Sequence, residues 1–174
     1  MRKTVSLRLF SVAFASIFSI AGCQDIYKYN ARPNLEKLLP AEIYDVQIDS
    51  TKNPTQAGEY YMINKGFVQA RAYFEKALEN EPKNRTALLG LASSYSMLGQ
   101  FTQADTYFKI FAETYGQTTA YKNDFGFSNI LRGNLDKAEI LLLQAYSQAP
   151  NSVTIKNNLD AIQKLRANKQ AVTK

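Results

Sequence analysis

The sequence contains no histidine, and Cys23 is the only cysteine among its 174 residues. Catalytic sites of the Ser-His-Asp and Cys-His types need histidine, and structural zinc sites need several cysteine or histidine ligands. An intrachain disulfide needs two cysteines, and no glycine-rich phosphate loop occurs in the sequence. These absences indicate a protein that is not an enzyme, and they predict no cofactor, no metal and no small-molecule substrate.

Acidic residues are missing from the first 22 residues. Three basic residues begin this segment, residues 9–20 are almost all apolar, and Ala21 and Gly22 close it. This is the layout of a secretory signal peptide, and its apolar run is shorter than the roughly 20 residues of a membrane-spanning helix. We predict a signal peptide over residues 1–22. Its removal lowers the formal net charge from +6 to +3, which does not favour nucleic-acid binding.

The predicted signal ends in the letters IAGC, residues 20–23, which resemble the lipobox of bacterial lipoproteins. The resemblance implies that the Cys23 thiol is diacylated and that the new α-amine receives an acyl chain such as palmitate. Several acyl chains give a durable membrane anchor. In enteric lipoproteins an aspartate after the cysteine retains the protein in the inner membrane, whereas this chain has Gln24. We therefore expect a lipid-anchored outer-membrane protein that faces the periplasm, with the lipidated cysteine and a flexible tether over residues 23–50.

A period of 34 residues runs through the rest of the chain. It resembles the tetratricopeptide repeat (TPR), in which two helices form a helix-turn-helix unit and cross at small residues. The resemblance implies three repeats within residues 51–152, at 51–84, 85–118 and 119–152. The aligned sets are Gly58, Ala92 and Gly126; Ala70, Ala104 and Ala138; and Phe74, Phe108 and Leu142.

Residues 153–174 follow the last repeat and are predicted to form a capping helix and tail. A stack of repeats must cover its last apolar face, and this segment has one apolar stripe at helical spacing. We therefore predict an all-α fold, a TPR solenoid of three helix-turn-helix repeats plus a C-terminal capping helix. The stripe consists of Ile155, Leu159, Ile162 and Leu165.

Turns and helix starts are also marked in the sequence. Gly99 and Gly133 stand where the turn between the two helices of a repeat is expected, whereas the first repeat has Lys65 there. Side chains that cap helix N-termini are expected at the starts of the helices. The predicted caps are Asn53, Asn84, Thr119, Asn134 and Ser152.

TPR stacks bind peptides on their concave face, which is lined by the first helix of each repeat. Carrying the family's groove positions onto this chain predicts a groove that is charged at one end and apolar at the other. We expect a peptide to dock against Leu89, Phe127 and Ile130. A second interpretation is that Phe127 and Ile130 only pack on the C-terminal helix. The predicted groove residues are Met62, Leu89, Ser93, Ser96, Asn123, Phe127 and Ile130.

Residues 121–159 resemble the last repeat and following helix of the TadD family, the TPR lipoproteins of tight-adherence (Flp) pilus machines. The resemblance implies a pilotin-like assembly factor whose protein partners are the outer-membrane secretin or other pilus and secretion components. The alternative is a general outer-membrane scaffold for envelope protein assembly. The matching residues are Asn123, Gly126, Ser128, Leu131, Gly133, Asn157, Asn158 and Leu159.

Overall fold

The computed structural model describes residues 52–172. The predicted signal peptide (1–22), the predicted lipid attachment at Cys23 and the predicted tether up to residue 50 lie outside the described residues. No helix within residues 52–172 is long and apolar enough to cross a membrane. This part of the chain forms seven α-helices and no strand: α1 (Pro54–Ile63), α2 (Phe67–Asn80), α3 (Arg85–Met97), α4 (Phe101–Tyr115), α5 (Thr119–Leu131), α6 (Leu135–Gln148) and α7 (Val153–Val172).

Short polar side chains set where several helices begin. Thr118, not the predicted Thr119, caps α5, because Thr118 has extended backbone angles and Thr119 is already helical. Asn134 precedes α6 as predicted, but its side chain makes no capping hydrogen bond. Three predicted caps are confirmed by a side-chain oxygen that accepts a hydrogen bond from a backbone amide of the first helical turn: Asn53 at 3.1 Å, Asn84 at 2.9 Å and Ser152 at 3.4 Å.

The turn inside each repeat needs one residue in the left-handed backbone region. Gly99 and Gly133 supply it with φ angles of 71° and 81°. Lys65 takes the same conformation in the first repeat, with φ at 60°. A side chain makes this region unfavourable by roughly 1 kcal/mol. The shared backbone shape, rather than the identity of the residue, therefore defines the turn.

The seven helices stack as three antiparallel pairs and a final single helix. Within each pair the first and second helices contact each other, and each second helix contacts the first helix that follows it. The backbones of the first helices also lie close together, α1 with α3 and α3 with α5, whereas the backbones of α2, α4 and α6 do not approach one another in the described part of the chain. The stack therefore curves with its first helices on the inner side. The predicted all-α TPR solenoid is confirmed.

The ring of Phe74 on α2 lies between two glycines. It is 1 % exposed. A Cβ atom added to Gly58 on α1 would lie 2.6 Å from the ring, and one added to Gly90 on α3 would lie 2.4 Å from it. Both positions therefore require glycine for the helices to approach this closely. The 34-residue period predicted the small residue at Gly58, but Gly90 stands outside the aligned positions.

A pair of stacked tyrosines occupies the same place in the first two repeats. Tyr61 stacks on Tyr73 with ring centroids 5.3 Å apart, and Tyr95 stacks on Tyr107 at 5.7 Å. The corresponding residues of the third repeat are Asn129 and Leu141. The third repeat therefore lacks this aromatic pair.

The Tyr95 ring joins the second repeat to the first. Its hydroxyl donates a hydrogen bond of 2.7 Å to Glu75 of α2, and the Arg71 guanidinium lies 5.9 Å from the ring centroid. Burial, followed by the hydrogen bond and negative charge of Glu75, raises the pKa of Tyr95 to about 12. The neutral phenol is thus part of the contact between the two repeats.

Helix α7 covers the last pair of helices. Ile155 and Ile162 are buried, and Leu159 and Leu165 pack around them as the predicted stripe requires. The Arg166 guanidinium pairs with two carboxylates of α6 at 2.6 and 2.8 Å. The predicted capping helix is confirmed.

Replacing Gly90 with alanine should lower the free energy of unfolding by about 1–3 kcal/mol, as overpacked core positions do. The added methyl group would overlap the Phe74 ring, and this cost exceeds the gain of up to about 1 kcal/mol that alanine brings to a helix. Thr86→Ala, at an exposed position of the same helix, is the control and should change stability by less than about 0.5 kcal/mol. Urea unfolding measures both. Equal stability of the two variants would contradict this packing.

Candidate peptide-binding surface

The seven predicted groove residues all lie on first helices, but the structure separates them into two groups. Met62, Ser93 and Asn123 are partly exposed on α1, α3 and α5. The others do not line an open groove, so their predicted role as groove-lining residues is wrong. These buried residues, at most 8 % exposed, are Leu89, Ser96, Phe127 and Ile130.

Neighbouring helices cover the apolar members of the predicted groove. Phe127 and Ile130 pack with Ile155 and Ile162 of α7, so the interpretation that they pack on the C-terminal helix matches the structure. Leu89 packs among the aromatic rings of α4 and α5. The hydrophobic effect places these side chains in the core because a neighbouring helix is present at each position.

Ser96 belongs to a buried hydrogen-bond network between α3 and α5. Its hydroxyl donates to the Ala92 carbonyl at 3.0 Å and is hydrogen-bonded to the Ser128 hydroxyl at 2.8 Å. Arg132 donates to Ser128 at 3.0 Å and forms two hydrogen bonds of 2.8 and 2.9 Å with the Asp105 carboxylate. This bidentate pair has defined geometry. The network therefore links the second and third repeats.

A row of polar side chains crosses α3, α5 and α7 where the first helices meet. Ser93 donates to the Asp124 carboxylate at 3.3 Å, and Asn123 donates to its other oxygen at 2.9 Å. Asn158 of α7 donates to the Asn123 side-chain carbonyl at 2.9 Å. We call Ser93, Asp124, Asn123 and Asn158 the polar row. The groove prediction included Ser93 and Asn123 but missed Asp124 and Asn158, which take their places only through contacts between helices.

The polar row offers both kinds of hydrogen-bonding group to a bound chain. Ser93, Asn123 and Asp124 are partly exposed, while Asn158 is fully buried and holds Asn123 in place. Amide side chains carry donors and acceptors, and carboxylates accept several hydrogen bonds. A peptide backbone needs one donor and one acceptor per residue. The row can therefore bind backbone groups of an extended segment without selecting its side chains.

Exposed and small side chains lie on the same helices as the row. Thr86 and Ala120 are exposed and small, and they stand near the N-terminal ends of α3 and α5. Glu59 and Met62 of α1 continue the same side of the stack and are partly exposed. The inner surface thus combines small and polar side chains along several repeats. In residues 52–172 no group of three or more histidine, cysteine, aspartate or glutamate side chains could hold a metal ion.

A concavity of about 360 Å³ lies between α4 and α5. Its apolar part includes the rings of Phe108 and Phe125, whose centroids are 4.9 Å apart, and the ring of Tyr121. Burial and the nearby Asp105 carboxylate raise the pKa of Tyr121. Tyr95 contacts α2 at the preceding junction, whereas the equivalent residue here is Asn129.

Comparison with known proteins identifies the repeats. The family model described as tetratricopeptide repeat matches residues 62–123. Six chains of solved structures match, among them the NMR structure of the first TPR domain of the human RPAP3 protein. That domain is 19 % identical with a TM-score of 0.57, over 68 % of this chain and 93 % of that chain, which shows a shared fold. No curated protein sequence matches. The described part of the chain therefore has a tetratricopeptide-repeat fold, and residues 62–123 match the repeat family.

Replacing Asn158 with alanine should lower the free energy of unfolding by about 1 kcal/mol, because the polar row loses a buried hydrogen bond. The Asn158 side-chain oxygen has no partner within the described residues, which limits the loss. Asn157→Ala, at the partly exposed neighbouring position, is the matched control and should have an effect below about 0.5 kcal/mol. Chemical denaturation compares them. An Asn158→Ala variant more stable than the parent would show that the row does not stabilise the fold.

Proposed function

We propose that the protein is a lipid-anchored periplasmic protein-interaction module that acts as a pilotin-like assembly factor for the secretin of a tight-adherence or type IV-type pilus. The proposed partner is a secretin subunit or another component of the pilus or secretion machine. Binding occurs on the inner surface of the solenoid, and the protein carries out no chemical reaction. The alternative is a general outer-membrane scaffold that uses the same surface for other envelope proteins.

The polar row is the observation that carries the interaction proposal. It joins α3, α5 and α7 through hydrogen bonds of 2.9 to 3.3 Å. These bonds orient the Asn123 and Asp124 side chains before any partner arrives, which lowers the entropy cost of binding. TPR folds serve as scaffolds for protein partners, and this surface has the groups needed to bind an extended peptide.

Sequence features support the anchoring part of the proposal. The basic start, the apolar run and the lipobox-like letters at residues 20–23 are consistent with lipidation of Cys23. Gln24 is consistent with sorting to the outer membrane. A lipid anchor would hold the repeats beside the membrane in which a secretin assembles.

The TadD resemblance supports the choice of partner. The matching residues take part either in close packing or in the polar row. Gly126 and Gly133 shape the third repeat, since a Cβ at Gly126 would lie 2.9 Å from Leu142 and Gly133 makes the turn. Asn123 and Asn158 belong to the polar row. The resemblance therefore includes the proposed binding surface as well as packing positions.

Photo-crosslinking at the inner surface tests the proposed partner. With p-benzoylphenylalanine in place of Ala120, an exposed residue one turn before Asp124 on α5, we expect a crosslink to a secretin subunit in cells. The control places the same group at Thr106, an exposed position of the second helix α4, and should give none. Asn123→Ala should reduce the crosslink from position 120. A crosslink to the secretin from position 106 alone would refute binding on the inner surface. Crosslinks from position 120 to other envelope proteins would favour the general scaffold.

The anchor is tested separately with Cys23→Ser. We expect the unaltered chain to incorporate labelled palmitate and to fractionate with the outer membrane, and we expect the variant to lose both properties. The cysteine provides the acylated thiol, so serine removes the attachment site. Recovery of the unaltered protein only with the inner membrane would contradict the proposed sorting. Unchanged fractionation of the variant would contradict anchoring through Cys23.

A further inference from the structure

The first repeat presents a cluster of tyrosines on the side where a preceding repeat would stand. Tyr61 stacks on Tyr73 at 5.3 Å, and the Tyr60 ring meets Tyr61 edge-on at 5.4 Å. All of them are partly exposed. We call Tyr60, Tyr61 and Tyr73 the tyrosine edge.

Later repeats show how such an edge is covered. The residues that correspond to Tyr60 are Ser94 and Ser128, which are fully buried against the preceding repeat. Ser94 contacts the sulfur of Met62 in the first repeat at 3.2 Å, and Ser128 is hydrogen-bonded to Ser96 at 2.8 Å. The equivalent surface is therefore an interface in both later repeats.

Helix α2 covers the tyrosine of the second repeat with a specific set of side chains. Glu75 accepts the hydrogen bond of the Tyr95 hydroxyl at 2.7 Å, and Arg71 lies 5.9 Å from the ring centroid. Arg71 and Glu75 also pair with each other at 3.7 Å, one helical turn apart. Phe74 belongs to the buried cluster at this junction, and Leu78, Tyr95 and Tyr107 pack against that cluster. An arginine and a glutamate thus contact the tyrosine, and a large apolar residue and a leucine belong to the apolar cluster beside it.

The same spacing of an arginine, a large apolar residue, a glutamate and a leucine occurs upstream of the repeats. Residues 32–40 read RPNLEKLLP, and residues 71–82 read RAYFEKALENEP. With Arg32 aligned to Arg71, the glutamate, the following lysine and the leucine all coincide, and Leu35 replaces Phe74. Pro40 follows the first stretch directly, whereas Pro82 comes four residues after Leu78. The matching residues upstream are Arg32, Leu35, Glu36, Lys37 and Leu39.

We infer that residues 32–40, which lie outside the described residues, bind the tyrosine edge in the way that α2 binds the second repeat. Glu36 accepts the hydrogen bond of the Tyr61 hydroxyl, and Arg32 lies over the Tyr61 ring. The partner chemistry is complementary because a phenol offers a hydroxyl donor and a ring face that attracts a guanidinium. The leucines cover the apolar parts of the tyrosine rings.

The chain between this segment and α1 is long enough to allow the contact. Residues 41–53 join the segment to α1, and 13 extended residues reach about 40 Å. The link between α2 and α3 is shorter, only residues 81–84, so the segment has more than enough chain to return to the edge. The contact would close the N-terminal end of the stack as α7 closes the other end.

The contact would also shorten the tether. If Cys23 carries the lipid, as proposed above, residues 24–31 alone would separate the anchor from the folded body, a reach of less than about 30 Å. The inference itself rests on the tyrosine edge and the sequence match, and it holds or fails independently of the lipid and of the secretin.

Photo-crosslinking from the edge tests the contact. With p-benzoylphenylalanine in place of Tyr61 in the full chain, we expect a crosslink within the same chain to a residue between 32 and 40, located by peptide mass spectrometry. Tyr115, a partly exposed tyrosine of α4, is the control position and should give no crosslink to this segment. A crosslink between two copies of the chain would overturn the inference, because a second copy would then occupy the edge. Absence of any crosslink to residues 32–40 would also overturn it.

A stability comparison does not depend on the probe at position 61. Glu36→Ala should lower the urea midpoint of the full chain, as Glu75→Ala should at the equivalent contact. Lys37→Ala is the matched control, because its counterpart Lys76 is exposed, and it should leave the midpoint unchanged. Combining Glu36→Ala with Tyr61→Phe should add no further loss. Equal midpoints for the Glu36→Ala and Lys37→Ala variants would refute the proposed contact.

Discussion

The close approach of helices at positions without bulky side chains is the constraint on which the solenoid depends. Phe74 is the clearest case, because it reaches Gly58 in its own repeat and Gly90 in the next. The Phe74 ring thereby sets the distance between the two helices of the first repeat and the distance between the first and second repeats. Leu142 meets Gly126 in the same way in the third repeat. Because interiors are close-packed, these contacts determine where each helix lies and hence which side chains reach the inner surface.

Residues that differ between equivalent positions of the repeats make different contacts at each junction and at each end of the stack. Ser93 and Ser96 of the second repeat correspond to Phe127 and Ile130 of the third. The serines join polar contacts between repeats, whereas Phe127 and Ile130 bury apolar surface under α7. The larger residues thus suit a repeat whose next neighbour is the capping helix. A concavity lies between α4 and α5, at the junction of the second and third repeats.

The inner surface is suited to recognition by shape and hydrogen bonding. The polar row holds Asn123 and Asp124 between the second repeat and α7, and the Arg132–Asp105 pair fixes the neighbouring junction at 2.8 and 2.9 Å. A partner that adds hydrogen bonds here meets groups already oriented by the fold. This arrangement is consistent with a protein-interaction module that binds a protein segment. The orientation of successive repeats then determines the shape of the binding surface.

The sequence by itself determined the helix pairs, the small residues where they cross, and the capping helix. These features follow from local signals and from a 34-residue period, because the same packing problem recurs in each repeat. Only the tertiary structure decided that Leu89, Phe127 and Ile130 are buried, that Gly90 must be small, and that Asp124 and Asn158 complete the polar row. A repeat position indicates which face of a helix a side chain occupies. It does not state which neighbouring helix covers that face, and burial depends on that neighbour.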